Sequence, residues 1–206
     1  MDGFFDVATQ RVNLLLDNIF TVIKVAVGVL YTAEWYDKGS SMGMIIGTLQ
    51  HFSADYKHAM GDSMFSKMME WMLERLVVAM IGALRQKGIK LDPDQGLSGR
   101  LTAERQQVVN FFVQFIPPAK IQELIHPLEL LHDFCCCTVK TAMLKLIPLY
   151  YQFPDLPQGL VEDVVRKRTD LDRSTVRSVL EAIRMRFMNN PPGLGCEATV
   201  FAKVKQ

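Results

Sequence analysis

The sequence predicts an all-α protein, a stacked helical bundle or rod of about seven or eight helices. Three observations carry this. Apolar residues recur at three- and four-residue spacing in segment after segment. Proline, glycine and capping residues fall between those segments. No strand series, internal repeat or low-complexity tract interrupts them. Of the 206 residues, 49% are hydrophobic and 22% charged, the balance of a chain that folds around a core.

Phe5 to about Tyr36 reads as one long helix, with Phe5, Ala8, Val12, Leu15, Leu16, Ile19, Ile23, Ala26, Val27 and Leu30 in its apolar stripe. Asp17, Lys24 and Glu34 interrupt its apolar run, so no membrane span is expected, because a span needs roughly 20 largely uncharged residues. No signal-peptide pattern stands at the start, and the abrupt opening Met1-Asp2-Gly3 suits a piece of a longer helical protein. Gly39 fits just past the helix end, and Ser40 or Ser41 caps the next helix. That second helix runs from Met44 to about Met60, with Ile45, Leu49, Phe52 and Tyr56 on one side. His51 and His58 share a face but lack a third ligand, so they read as ordinary surface histidines.

Phe65 to Lys87 is a third helix whose stripe is methionine-rich: Phe65, Met68, Met69, Met72, Leu76, Met80 and Leu84. Such a stripe can be an adaptable binding groove, but its regular helical spacing favours core. Gly88 to Arg100 is a long loop, which Leu91 and Leu97 pin to the surface. Asp92 and Asp94 resemble the start of a calcium loop, yet the later ligands are missing. Thr102 caps the fourth helix, with Val108, Val109, Phe112 and Phe115 as its stripe, and Pro117-Pro118 ends it. Ala119 to about Phe134 follows, interrupted by Pro127. Thr138 to Gln152 comes next, with Val139, Met143, Leu146, Ile147 and Tyr150 apolar and a kink at Pro148. The expected division is an N-terminal helical portion, 1–90, a C-terminal one, 101–190, and an extended tail, 191–206, with a β-like run from Thr199 to Val204.

Phe153 to Phe187 reads as two closing helices around a tight polar turn. Leu160, Val161, Val164 and Val165 line the first. Asp172 is the N-cap of the second, and Leu171 and Val176 are placed as a hydrophobic staple. Val176, Val179, Leu180, Ile183 and Phe187 form its stripe. Opposite that stripe lie Arg173, Arg177 and Arg184, the candidate partner-binding residues.

Such a pair also suits a helix-turn-helix DNA-binding protein, the alternative reading. Arg173, Ser174, Thr175 and Arg177 would touch bases and phosphates, with Arg166, Lys167 and Arg168 nearby. The charge balance speaks against it. Net charge is only +1, and Glu162, Asp163, Asp170, Asp172 and Glu181 offset the local cations, with Arg177–Glu181 spaced as a helical ion pair. No nucleic-acid partner is expected.

No phosphate loop, dinucleotide-binding, serine-nucleophile or zinc-protease motif occurs, so no catalytic residue and no enzymatic activity is expected. No cofactor or metal site is expected either. Cys135, Cys136 and Cys137 are adjacent and fan out by about 100° each on a helix, so they do not converge on one metal. His132 lies three residues from Cys135 on the same helix, an arrangement more often structural than nucleophilic.

From Leu76 to the end the order of features resembles the C-terminal region of exocyst complex component 3, the Sec-six-type tethering family, as a divergent member. Glu74 to Lys90 resembles that family's helix before a loop, and Gln106 to Phe115 the helix after it. Tyr150 to Arg168 resembles its tyrosine-proline-aspartate segment, Leu171 to Ile183 its closing helix, and Glu34-Trp35-Tyr36 an upstream turn. The family has glycine where this chain has Thr169. The resemblance implies a non-enzymatic scaffold of a vesicle-tethering complex, cytoplasmic and peripheral to the plasma membrane at secretion sites. Its implied partners are other exocyst subunits and plasma-membrane SNARE proteins or their regulators.

Overall fold

The computed structural model describes residues 2–189 and 198–204, with side chains from Val7 onward. The expected stripe member Phe5, the turn Asn190 to Gly193 and Cys196 lie outside the described side chains.

Among the described residues nine α-helices follow one another: α1 Asp2–Val29, α2 Ala33–Lys38, α3 Ser41–Ala59, α4 Asp62–Ala83, α5 Leu97–Phe112, α6 Pro118–Cys136, α7 Ala142–Gln152, α8 Gln158–Lys167 and α9 Arg173–Asn189. There is no strand among them, only an isolated parallel bridge between Leu91 and Arg168. The methionine-rich helix α4 is the centre. Its stripe is fully buried, and Leu73, Val77 and Ile81 are buried beside it, so the helix is apolar on most of its circumference. It packs on α1 and α6, while α1 packs on α3, α3 on α5, α5 on α6, α6 on α7, and α8 on α9. One continuous apolar core results, drawn from both the 1–90 and 101–190 portions.

The expected first helix is two. The chain leaves α1 at Val29, and Tyr31 takes a left-handed backbone with φ 65°. A bulky side chain there costs on the order of 1–2 kcal/mol. Complete burial of the Tyr31 ring and a 3.4 Å contact from its hydroxyl to His132 Nε2 offset that cost. Thr32 then caps α2, its hydroxyl accepting the Trp35 N–H at 3.4 Å. Gly39 closes α2 in the left-handed region at φ 62°, and Ser40 is the N-cap position of α3. By length and composition Val7–Val29 also passes for a membrane-spanning helix. Within the bundle Val12, Leu16, Ile19, Ile23 and Val27 form its buried face.

Four more segments differ. The fourth helix starts at Leu97 rather than at Thr102, because Gly96 (φ 76°) turns the chain into it after a short 3-10 turn, Pro93–Gln95. Helix α6 runs through Pro127, which is buried inside it; a proline removes a single backbone hydrogen bond, and packing of the surrounding turns keeps the helix whole. Thr138 to Gln152 divides into a 3-10 turn, Val139–Thr141, and α7, and Val139 and Ile147 are exposed rather than buried. The run expected as extended, Thr199 to Val204, instead makes a 3-10 turn, Val200–Lys203. Asp155 accepts from the Thr199 and Ala202 amides at 2.8 and 3.0 Å.

Candidate docking face on the closing helix pair

The turn between α8 and α9 is fixed at both ends. The Leu91 amide donates to the Lys167 carbonyl at 2.8 Å, and the Thr169 amide donates to the Leu91 carbonyl at 3.0 Å. The long loop is thereby stitched to the closing turn, with Leu91 and Leu97 fully buried. Thr169 has no positive φ, so this turn does not need the glycine of the resembled family. Asp172 caps α9: its Oδ1 accepts the Thr175 N–H at 2.7 Å, and the Ser174 hydroxyl donates to both carboxylate oxygens. Leu180, Ile183 and Phe187 bury the inner face, with Val176 and Val179 half-buried.

The three candidate arginines separate into two kinds. Arg173 and Arg177 are exposed on the first two turns, beside Ser174, Ser178 and Glu181 on a shallow surface. Neither makes an ion pair within 4 Å among the described residues, and the expected Arg177–Glu181 pair is not formed. Arg184 is different. Its guanidinium donates to both oxygens of Glu162, at 3.1 and 3.3 Å, and so bolts α9 to α8. Glu162 is 7% exposed and also accepts from Arg166 at 2.5 Å and Gln158 at 2.8 Å. These donors, Arg184 first, hold its carboxyl down at about 2.

The basic run before the turn is engaged internally. Arg166 is on Glu162, and Lys167 donates to the Leu84 carbonyl at 2.6 Å. Arg168 is buried, with two contacts to Asp170 at 2.6 and 3.0 Å and one to the Cys137 sulfur at 3.6 Å. A recognition helix would need these cations free for phosphates. The helix-turn-helix reading thus loses the three nearby cations, Arg166, Lys167 and Arg168.

A second polar cluster gave no signal in the sequence. Trp35 Nε1 donates to Glu104 Oε1, and Arg100 donates to the carbonyls of Trp35 and Tyr36 at 3.1 and 2.5 Å while stacking over both rings. The second Glu104 oxygen is buried without a protein partner, and burial pushes the carboxyl up to about 7. In the same interior, burial lowers His132 to about 3 and pushes the Cys135 thiol up, while Cys136 rises to about 11. Both directions oppose a thiolate with a neighbouring base. The cluster holds α2 against α5, and Tyr31, between α1 and α2, reaches His132 on α6.

Residues 1–173 match the family described as exocyst complex component Sec6. Over 205 residues, 99% of the chain, the sequence is 22% identical to exocyst complex component sec6 of Schizosaccharomyces pombe (strain 972 / ATCC 24843), covering 27% of that protein. The crystal structure of the C-terminal domain of the exocyst subunit Sec6p aligns with the whole chain at a TM-score of 0.78 and 16% identity, over 54% of the solved chain. The chain therefore spans about a quarter of the curated relative and about half of the solved domain.

Proposed function

The chain belongs to the exocyst complex component Sec6 family, and on that premise we propose that it is a non-enzymatic scaffold of a vesicle-tethering complex. Its work is geometric: a rigid helical body holds docking faces at fixed positions. The observation that carries a specific face is the pair of outward cations, Arg173 and Arg177, on a helix whose start is capped and whose inner stripe is buried. These two meet an acidic surface on a partner, and Arg184 fixes the angle of the helix that presents them. The partners are other exocyst subunits, with plasma-membrane SNARE proteins or their regulators as further candidates. The finer placement is a component-3-type subunit at the cytoplasmic side of the plasma membrane.

The test is direct. The immobilised chain is expected to retain purified exocyst subunits, with retention falling as salt is raised, because exposed charge contacts are screened over about 10 Å at 0.1 M salt. Absence of retention, or a salt-sensitive mobility shift of duplex DNA in its place, overturns the reading.

A further inference from the structure

Helix α2 is 6 residues long and stands between two left-handed backbone positions, Tyr31 at φ 65° and Gly39 at φ 62°. Ala33, Glu34, Asp37 and Lys38 are exposed and Tyr36 is half-buried, which leaves Trp35 as its buried anchor. A helix this short does not persist on its own in water, so its place is set by what grips it. Polar groups of α5 supply that grip. Glu104 accepts the Trp35 indole N–H, and Arg100, one turn earlier on α5, donates to the Trp35 and Tyr36 carbonyls at 3.1 and 2.5 Å. The Tyr36 hydroxyl accepts the Asp92 amide at 3.0 Å, in the loop that is stitched to the α8–α9 turn.

Arg100 and Glu104 have the spacing of a helical ion pair. Yet Arg100 is engaged by the α2 carbonyls, and the second Glu104 oxygen is buried without a protein partner. A carboxyl so placed is satisfied when neutral. As an anion it faces one neutral donor and lacks a charged one, which is costly in a buried site. Charging Glu104 therefore sets it in competition with the Trp35 and Tyr36 carbonyls for one guanidinium. The other groups around it keep their charge near neutral pH. Burial raises the Tyr31 hydroxyl and the Cys135 thiol and holds His132 neutral, at about 3. Arg105 of α5 is paired with Glu129 of α6 at 3.3 Å. His51, Asp55, Lys57 and His58 of α3, Asp133 of α6 and Asp94 of the 3-10 turn are exposed.

We propose that α2 is a proton-operated latch, closed while Glu104 is protonated and released when Arg100 turns from the α2 carbonyls to the ionised carboxylate. On release α2 swings out about Tyr31 and Gly39, and the Tyr36 hydroxyl leaves the Asp92 amide. The sign follows from burial, which places the Glu104 carboxyl above its ordinary value, at about 7. The closed form is complete below the ordinary value and is lost as pH rises through 7.

The experiment uses the full chain with Trp71→Phe, which leaves Trp35 as its single tryptophan. Trp35 emission and iodide quenching are followed from pH 6 to 8. Amide hydrogen exchange, corrected for the intrinsic effect of pH, is followed in parallel. The Tyr36, Gly39 and Asp92 amides are the ones that the closed latch protects. The expected result is a red shift, easier quenching and about tenfold loss of protection at those three amides between pH 6 and 8, with α4 protection unchanged. Glu104→Gln keeps the acceptor for Trp35 without the charge and is expected to stay closed across the range. Arg100→Gln is expected to show the open pattern already at pH 6. No change with pH in the parent, a pH response that survives Glu104→Gln, or a loss of protection shared by α4 overturns the latch.

Discussion

Glu104 and Glu162 are almost equally buried, at 6% and 7% exposed, yet their carboxyls move in opposite directions. Glu104 rises to about 7 and Glu162 falls to about 2. Desolvation dominates at Glu104, and hydrogen-bond donors dominate at Glu162. Glu162 receives one guanidinium across the α8–α9 seam, from Arg184, and a second guanidinium and an amide from Arg166 and Gln158 of its own helix. Glu104 receives one indole N–H and has an oxygen left without a protein partner. Exposed area alone therefore does not decide the charge of an interior acid; its desolvation is weighed against the donors that face it.

The largest expected effects are on pH dependence. The folded pKa of Glu162 lies below its ordinary value of 4.5, so its contribution is complete above that value and is lost as pH falls toward 2. At ~1.4 kcal/mol per pKa unit this is about 3 kcal/mol. Glu104 has the opposite sign. Its folded pKa lies above 4.5, so its contribution is complete below 4.5 and is lost as pH rises through 7, again about 3 kcal/mol. In denaturant unfolding from pH 2 to 8, Glu162→Gln is expected to flatten the acidic limb and Glu104→Gln the limb between 4.5 and 7. If the two variants flatten the same limb, the comparison fails.

Trp35→Phe sharpens the same contrast at smaller scale. It removes the indole donor to Glu104, with an expected cost of about 1–3 kcal/mol, and moves the Glu104 midpoint upward. A midpoint that moves down would mean that another group supplies the donor. Smaller still is Arg184→Ala. Arg184 is 53% exposed, so solvent screens the pair and only a small loss of stability is expected, with the Glu162 midpoint shifting up. A double-mutant cycle with Glu162→Gln isolates that coupling.

Much of the fold was legible because local pattern and packing agreed. The methionine stripe of α4 is core, Gly39 closes a helix, and Asp172 caps α9. What escaped depends on contacts distant in sequence. Nothing near Tyr31 marks a left-handed turn; its cost is met by burial and by His132, 101 positions away. Nothing in the sequence marks Glu104, and Glu162 read only as an offset to local cations, because their partners Trp35 and Arg184 lie 69 and 22 positions away. The three arginines on α9 were legible as a ridge. That Arg184 serves the α8–α9 seam was hidden, because helical spacing gives a residue's face but not what the neighbouring helix presents to it.

The most direct measurement compares the two kinds of arginine in one assay. Exocyst-subunit retention and the thermal melt are measured for Arg173→Glu/Arg177→Glu and for Arg184→Ala. The double reversal is predicted to lower retention about tenfold with the melt unchanged, and Arg184→Ala to lower the melt with retention near wild type. Unchanged retention in the double reversal would contradict the account.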